Sequence, residues 1–142
     1  MLVAQILKSK GADVFTCGPD ASLAQASRML HEHRIGAIVV MDEGSVTGIL
    51  SERDVVRALA RAGAGALEDE VRAHMTGDVI VASPQETVDD LMERMTDRRI
   101  RHLPVCDGGR LLGIVSIGDL VKSKIAETVH EAETLKAYIV SG

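Results

Sequence analysis

Aromatic side chains are almost absent from this chain of 142 residues: Phe15 and Tyr138 are the only two, and there is no Trp. Binding of single-stranded nucleic acid relies on aromatic rings on which bases stack. The net charge of −5 argues against nucleic acid in general, because phosphate backbones are bound by an excess of Lys and Arg on one face. Nucleic-acid partners are therefore not expected, and aliphatic side chains must hold any planar ligand.

Cysteines and long apolar runs are also scarce. Cys17 and Cys106 are the only cysteines, and without a CxxC pair they predict free thiols rather than a disulfide or a zinc site. No apolar run approaches the length of a membrane span, and residues 1–4 lack a basic segment leading into a long apolar one. We therefore expect no membrane insertion and a cytoplasmic location. Sequence patterns for a Ser-His-Asp set, a Walker loop or GxGxxG are missing as well.

What the chain does contain is an internal duplication. Gly48-Ile49-Leu50-Ser51-Glu52-Arg53-Asp54 returns as Gly113-Ile114-Val115-Ser116-Ile117-Gly118-Asp119, 65 residues later. At this one offset, residues 13–56 and 78–121 share 13 identities without a gap, against roughly three expected from background composition. Two copies are too few for a solenoid. They indicate two half-sized lobes that share a core and form two related clefts.

Each copy predicts the order β-α-β-β-α. The predicted strands are 13–17, 35–41 and 46–50 in the first copy, and 78–82, 101–106 and 110–115 in the second. Ser22 and Thr87 are predicted to cap the first helix of each copy, and residues 42–45 and 107–109 carry hairpin-turn signals. The second helix of each copy begins at Ser51 or Ser116.

The segments between and around the copies complete the predicted organisation. Residues 61–66 contain two glycines among alanines and predict a flexible joint. Residues 3–8 and 67–75 predict short helices ahead of the first and second copy. The division is repeat 1 at 1–62, a linker at 63–67, repeat 2 at 68–125 and a C-terminal helical extension at 126–142. The extension continues an apolar pattern that has no obvious place within the chain, so we expect it to pack on a neighbouring chain.

The repeated Gly-x-x-Ser-x-x-Asp has two interpretations. The serine lies where a strand meets a helix, so free N–H groups and the positive end of the helix dipole favour a phosphate. The aspartate follows one helical turn later, and a carboxylate there can accept hydrogen bonds from a ribose diol. Together they describe a nucleotide site. Each copy taken alone also fits a near capping box, in which the serine and the aspartate serve only to begin the helix.

The histidines and methionines have structural as well as functional interpretations. His31 and His33 point to nearly opposite sides of a helix, which disfavours a metal pair, and no metal or catalytic residue is predicted. His102 either contacts phosphate or packs at a strand edge, with a charge that depends on pH near neutrality. The methionines fit core or interface packing better than a ligand box.

The motif set resembles that of tandem cystathionine-β-synthase-type (CBS) domains over about residues 1–125. The family pattern appears at residues 35–40 (Ile-Gly-Ala-Ile-Val-Val) and 100–105 (Ile-Arg-His-Leu-Pro-Val), followed in each copy by Asp-x-Gly, a variant of the family's Asp-x-x-Gly, and by the repeated motif. The resemblance implies an α+β fold of two repeats related by a pseudo-two-fold axis, the Bateman-type module. It further implies adenosine-containing ligands in the clefts and pairing of modules, head-to-head or head-to-tail, into a disc.

The resemblance also assigns residues to two clefts. Cleft A would use Ile49, Ser51, Arg53 and Asp54, facing Val79, Ile80, Ile100, Arg101 and His102. Cleft B would use Ile114, Ser116 and Asp119, facing Val14, Phe15, Thr16, Ile35, Gly36 and Ala37. The aspartates would bind ribose hydroxyls and the serines phosphate. Cleft A gathers the arginines, so we expect it to prefer the more highly charged ligand, whereas cleft B takes a less charged adenosyl group or stays empty.

These expectations favour a stand-alone regulatory module that passes ligand occupancy to an effector protein. AMP is the first ligand expected, and ATP, ADP, NAD(H) and S-adenosylmethionine stay open. A homodimer is the expected assembly. One alternative is a dimerisation scaffold with degenerate clefts, and another is a nucleotide-hydrolysing enzyme, which is disfavoured because no nucleophile with a base is evident.

Overall fold

The computed structural model describes residues 1–11 and 13–141. Within these ranges the α-helices are α1 (Val3–Lys10), α2 (Leu23–His33), α3 (Glu52–Ala62), α4 (Val88–Arg98) and α5 (Ile117–Ser141). The strands of the same ranges are β1 (Thr16–Cys17), β2 (Ala37–Asp42), β3 (Ser45–Ser51), β4 (His102–Asp107) and β5 (Arg110–Ser116). Two 3₁₀ helices, Gly63–Glu68 and Val71–Ala73, connect the halves.

The two sheets repeat one another almost residue for residue. β2 and β3 pair antiparallel with a bulge between Val40 and Met41, and β4 and β5 do so with a bulge between Val105 and Cys106. In the first half, β1 adds a parallel strand whose Cys17 pairs with Val40. In the second half the predicted strand 78–82 is wrong: only Ala82 forms an isolated parallel bridge, to Val105. This bridge is the counterpart of the Cys17–Val40 pair.

Local chemistry sets the helix ends. The Ser22 hydroxyl accepts a hydrogen bond from the Gln25 backbone N–H at 3.1 Å, and the Thr87 hydroxyl accepts one from Asp90 at 3.1 Å, so both predicted caps are confirmed. Satisfying these otherwise unpaired N–H groups is what starts each helix at that residue. Both helices end at an arginine in the left-handed conformation, Arg34 (φ 53°) or its counterpart Arg99 (φ 54°).

The segment ahead of each copy packs on the opposite copy. Val3 and Ile6 of α1 are buried in the core of the second half, together with Leu91 and Leu103. Ala66 and Val71, from the two 3₁₀ helices, are buried in the core of the first half. The predicted flexible joint at 61–66 is therefore wrong, because this segment is ordered and contributes to a core. The predicted helix at 67–75 is also wrong in its type, since it divides between two short 3₁₀ segments.

This exchange explains the glycine of the repeated motif. A Cβ on Gly113 would lie 2.7 Å from Cδ2 of Leu7, and a Cβ on Gly48 would collide with the side chain of Met75. Contacts this short are closer than ordinary van der Waals separation, so no larger residue fits without a shift. In both copies the close neighbour is a side chain of the exchanged segment.

The last helix extends well past the duplicated unit. Leu120 is buried at its start, but every residue from Val129 to Ser141 is exposed. Despite its 25 residues, α5 is not apolar enough to cross a membrane, and neither is any other helix of the described chain. Cys17 and Cys106 are free thiols, as predicted, and burial raises the pKa of each.

Candidate functional site

A cavity of about 530 Å³ lies beside the first copy of the repeated motif, where the two halves meet. Its walls come from the start of α3, the end of β3 and the residues that lead into β4. Seven of the nine residues assigned to cleft A line it. The lining consists of Gly36, Ile49, Ser51, Glu52, Arg53, Asp54, Val56, Arg57, Thr76, Arg99, Ile100, Arg101 and His102.

Asp54 is the buried acid of this cavity, with 8% of its surface exposed. Its Oδ2 accepts a hydrogen bond from the Ser51 backbone N–H at 2.9 Å, and the Ser51 hydroxyl accepts one from the Asp54 N–H at 3.2 Å. The capping interpretation is thus correct for this pair. A carboxylate offers about four acceptor sites, however, and the one further bond is a 3.3 Å contact from Arg57 Nη1 to Oδ1. Acceptor capacity is left for two hydroxyl groups.

Positive charge surrounds the cavity. Arg53, Arg57, Arg99 and Arg101 all line it, and the N-terminus of α3 opens into it. Arginine forks bind phosphate through paired, charge-assisted hydrogen bonds, and a helix N-terminus adds its free N–H groups. Of the four, Arg57 and Arg99 were not among the predicted site residues. Their signals were present in the sequence: Arg57 lies one helical turn after Asp54, and Arg99 repeats Arg34.

His102 closes the cavity against the first copy. Its Nε2 would be 2.8 Å from a Cβ on Gly36, so a larger residue opposite the ring would require the imidazole to shift. Burial, followed by the nearby Lys10 ammonium, lowers the pKa of His102, although Glu52 and Asp119 act in the opposite direction. The neutral imidazole is therefore favoured, and the positive charge of the cavity comes from its arginines.

The corresponding acid of cleft B is already engaged. Lys10, in the last turn of α1, donates to Asp119 Oδ2 at 2.7 Å and to the Ile114 carbonyl at 3.0 Å. The Ser116 backbone N–H donates to the same Oδ2 at 2.9 Å. Burial raises the pKa of Asp119, but the bonds from Lys10 and Ser116 outweigh it and hold that pKa below its usual range. Lys10 was not among the predicted site residues, because α1 reaches this site only through the exchange between halves.

The other predicted site residues are dispersed. Phe15 stacks on His33 with ring centroids 3.7 Å apart, while Ile80 and Ile35 pack against the second and first core. Val14 and Thr16 line a separate, open cavity of about 640 Å³ beside residues 108–112. Ala37 is buried in β2. Val79 lies outside both cavities, and Gly36, which was assigned to cleft B, lines the cavity at Asp54.

Metal-ligating side chains do not gather anywhere in residues 1–11 and 13–141: no group of three or more His, Cys, Asp or Glu lies in suitable geometry.

Comparison with known proteins identifies the duplicated unit. The family model described as "CBS domain" matches the chain twice, over residues 3–61 and 69–125. A CBS-domain containing protein from Agrobacterium tumefaciens has a solved structure that superposes with a TM-score of 0.85 at 49% identity, covering 87% of this chain and 99% of that one. The mitochondrial CBS domain-containing protein CBSX3 of Arabidopsis thaliana is 34% identical over 149 aligned positions, covering 99% of this chain and 72% of that protein.

One further solved structure holds ligands. The CBS domain pair of protein MJ0100, in complex with 5′-methylthioadenosine and S-adenosyl-L-methionine, superposes with a TM-score of 0.80 at 29% identity. It covers 89% of this chain and 98% of that one. The predicted α+β fold of two repeats is confirmed by these matches and by the architecture above. With two copies of the unit accounting for most of its length, this chain belongs to the CBS domain family as a tandem CBS pair.

Proposed function

We propose that this CBS pair is a regulatory module that binds an adenine nucleotide, AMP first, in the cavity at Asp54. One observation carries the proposal: a buried carboxylate with spare acceptor capacity lies in a cavity that four arginines also line. The carboxylate suits the ribose diol, and the arginines with the α3 N-terminus suit a phosphate. Ser51 Oγ accepts from the Asp54 N–H, so its own proton is free to be donated to a phosphate oxygen.

The ligand class is supported by the relative that binds 5′-methylthioadenosine and S-adenosyl-L-methionine. Both of those molecules contain adenosine without a phosphate. The arginines at the present cavity favour a phosphorylated member of the class instead, which is the reason for placing AMP ahead of S-adenosylmethionine. ATP, ADP and NAD(H) satisfy the same chemistry and belong in the same test.

The two clefts are proposed to differ in affinity. At the first, Asp54 is available; at the second, Asp119 holds the Lys10 ammonium at 2.7 Å. A ribose at Asp119 must displace or share that cation, which makes the second cleft the weaker one. Signalling follows if ligand binding changes how the two halves, or two paired modules, are arranged. The shift between two arrangements is limited by the difference in ligand affinity between them. We propose a homodimer as the assembly, an effector protein as the receiver and no catalytic role.

The decisive experiment is calorimetric titration of AMP into the wild type, Asp54→Ala and Asp90→Ala. Asp90 is a matched control because it also occupies the third position of a capped helix, yet lies on α4 and is exposed. Losing hydrogen bonds from a charged acceptor costs about 1.5–3 kcal/mol each, so Asp54→Ala should weaken binding at least about tenfold. Asp90→Ala should bind like the wild type. Unchanged affinity in Asp54→Ala removes the proposal.

A thermal-shift screen then separates the alternatives. A ligand at a hundred times its dissociation constant adds about 2.7 kcal/mol of stability, which is readily measured for AMP, ADP, ATP, NAD(H) and S-adenosylmethionine. If none of them stabilises the protein, the scaffold function is the better account. Product formed on prolonged incubation with ATP would instead indicate an enzyme.

A further inference from the structure

Helix α5 carries a regular, mostly apolar seam that the rest of the described chain leaves exposed. Val121 and Leu135 are 39% and 59% exposed, and Ile125 and Ile139 are 59% and 67% exposed. The spacing between successive seam residues alternates four and three. We define the α5 seam as Val121, Ile125, Thr128, Ala132, Leu135 and Ile139.

This spacing is that of a coiled coil. Alternating steps of four and three keep one stripe facing a partner helix over many turns, which a helix packed on a globular body does not require. The seam runs for 19 residues, or about 28 Å of helix. Assigning Ile125 and Ile139 to a positions places Leu135 at a d position. The other two d positions are Val121 and Thr128. Among parallel coiled coils, isoleucine at a with leucine at d is the combination that favours two strands.

The seam is uncovered because α5 contacts the rest of the described chain, the body of the protein, through a different face. Lys124 Nζ lies 3.0 Å from Asp89 Oδ1, and the N-terminal ammonium of Met1 lies 3.7 Å from Glu127 Oε1. With Leu120 buried, these contacts place the body-facing side roughly a third of a turn from the seam. A second helix can therefore lie along the seam without displacing the body.

Charges beside the seam favour a second copy of the same helix. In the heptad numbering above, Glu131 is at g and Lys136 at the next e. In a parallel, in-register pair, the g position of one helix faces the following e position of its partner. Glu131 of each chain therefore faces Lys136 of the other, which gives two ion pairs in the dimer. The same sequence is thus complementary to itself. An unrelated partner helix would need to reproduce both the apolar spacing and this charge pattern.

We propose that two copies of this chain associate through a parallel, two-stranded coiled coil of their α5 seams. The inference deepens the homodimer suggested above and is independent of which nucleotide binds at Asp54. It assigns the pairing surface to the C-terminal helix.

The test measures the dimer dissociation constant of the full chain by sedimentation equilibrium in the wild type, Leu135→Glu and Val140→Glu. Val140 is the matched control, because it is apolar and 87% exposed but lies off the seam. We expect Leu135→Glu to weaken the dimer at least a hundredfold and Val140→Glu to change it less than threefold. A Leu135→Glu dimer as tight as the wild type overturns the proposal, as does equal damage from Val140→Glu.

Charge reversal tests the orientation. Glu131→Lys and Lys136→Glu should each weaken the dimer about two- to fivefold, the range for exposed ion pairs, and the double reversal should restore it. Failure of the double variant to recover refutes the parallel arrangement. AMP titration of Leu135→Glu keeps the two proposals apart, because a folded monomer still has the cavity at Asp54. A wild type that is monomeric at all concentrations refutes the seam and leaves nucleotide binding untouched.

Discussion

Replacing Gly113 by alanine tests whether the motif glycine exists for packing between the halves. The added Cβ would lie 2.7 Å from Leu7 Cδ2, which is at least about 0.7 Å closer than ordinary contact, so the Leu7 side chain, α1 or β5 must shift. Overpacking of this kind costs about 1–3 kcal/mol. For a chain of this size each kcal/mol lowers Tm by about 2–4 °C, so we expect a decrease of roughly 2–12 °C.

The informative assay is a double-mutant cycle followed by urea unfolding. Leu7→Ala removes the colliding methyl groups, so Gly113→Ala should cost much less stability in the Leu7→Ala background than in the wild type. Gly65→Ala is the control, because nothing lies within 4 Å of its Cβ position and the change should be neutral or slightly stabilising. Additive costs for Gly113→Ala and Leu7→Ala would refute the reasoning.

Two further predictions concern pH and charge. Burial lowers the pKa of His102. The contribution of His102 to stability is therefore complete above its ordinary pKa of 6.5 and is lost as pH falls from there toward its pKa in the folded protein. In His102→Gln, the free energy of unfolding measured with urea should decrease less between pH 8 and pH 5 than in the wild type. Lys10→Met should cost at most about 1 kcal/mol at pH 7, because the pair with Asp119 is partly exposed. That difference should vanish in acid, once Asp119 is protonated in both proteins, and a difference that persists at low pH would show that the lysine acts through packing.

The sequence was sufficient for features determined by local chemistry. The caps at Ser22 and Thr87 and the two-residue hairpin turns follow from side-chain and backbone preferences within a few residues, and Glu43, Gly44, Gly108 and Gly109 all adopt the positive φ that such turns require. The duplication added long-range information, because one set of contacts had to serve both copies. The assignment of residues to cleft A came from the resemblance to CBS domains, and seven of those nine residues lie together at one cavity.

Prediction failed where tertiary packing overrides local preference. The run of glycine and alanine at 61–66 has the composition of a flexible joint, yet Ala66 is buried because it packs into the core of the first half. Residues 78–82 have strand composition, but only Ala82 reaches its neighbour closely enough to pair. Lys10 escaped notice because nothing near it in the sequence relates α1 to Asp119. The domain boundaries, the binding roles of the residues in both clefts and the cytoplasmic location stay predictions.

The exchange of leading segments has a consequence for how this protein can be divided. A fragment ending at residue 62 would leave the surface that Ala66 and Val71 cover open to water, and a fragment beginning at 63 would lack Val3 and Ile6. Residues of each half form part of the core of the other half. The smallest piece able to fold is therefore the whole pair, which should melt in a single transition. A split or rearranged version must include, with each half, the segment of the other half that packs into its core.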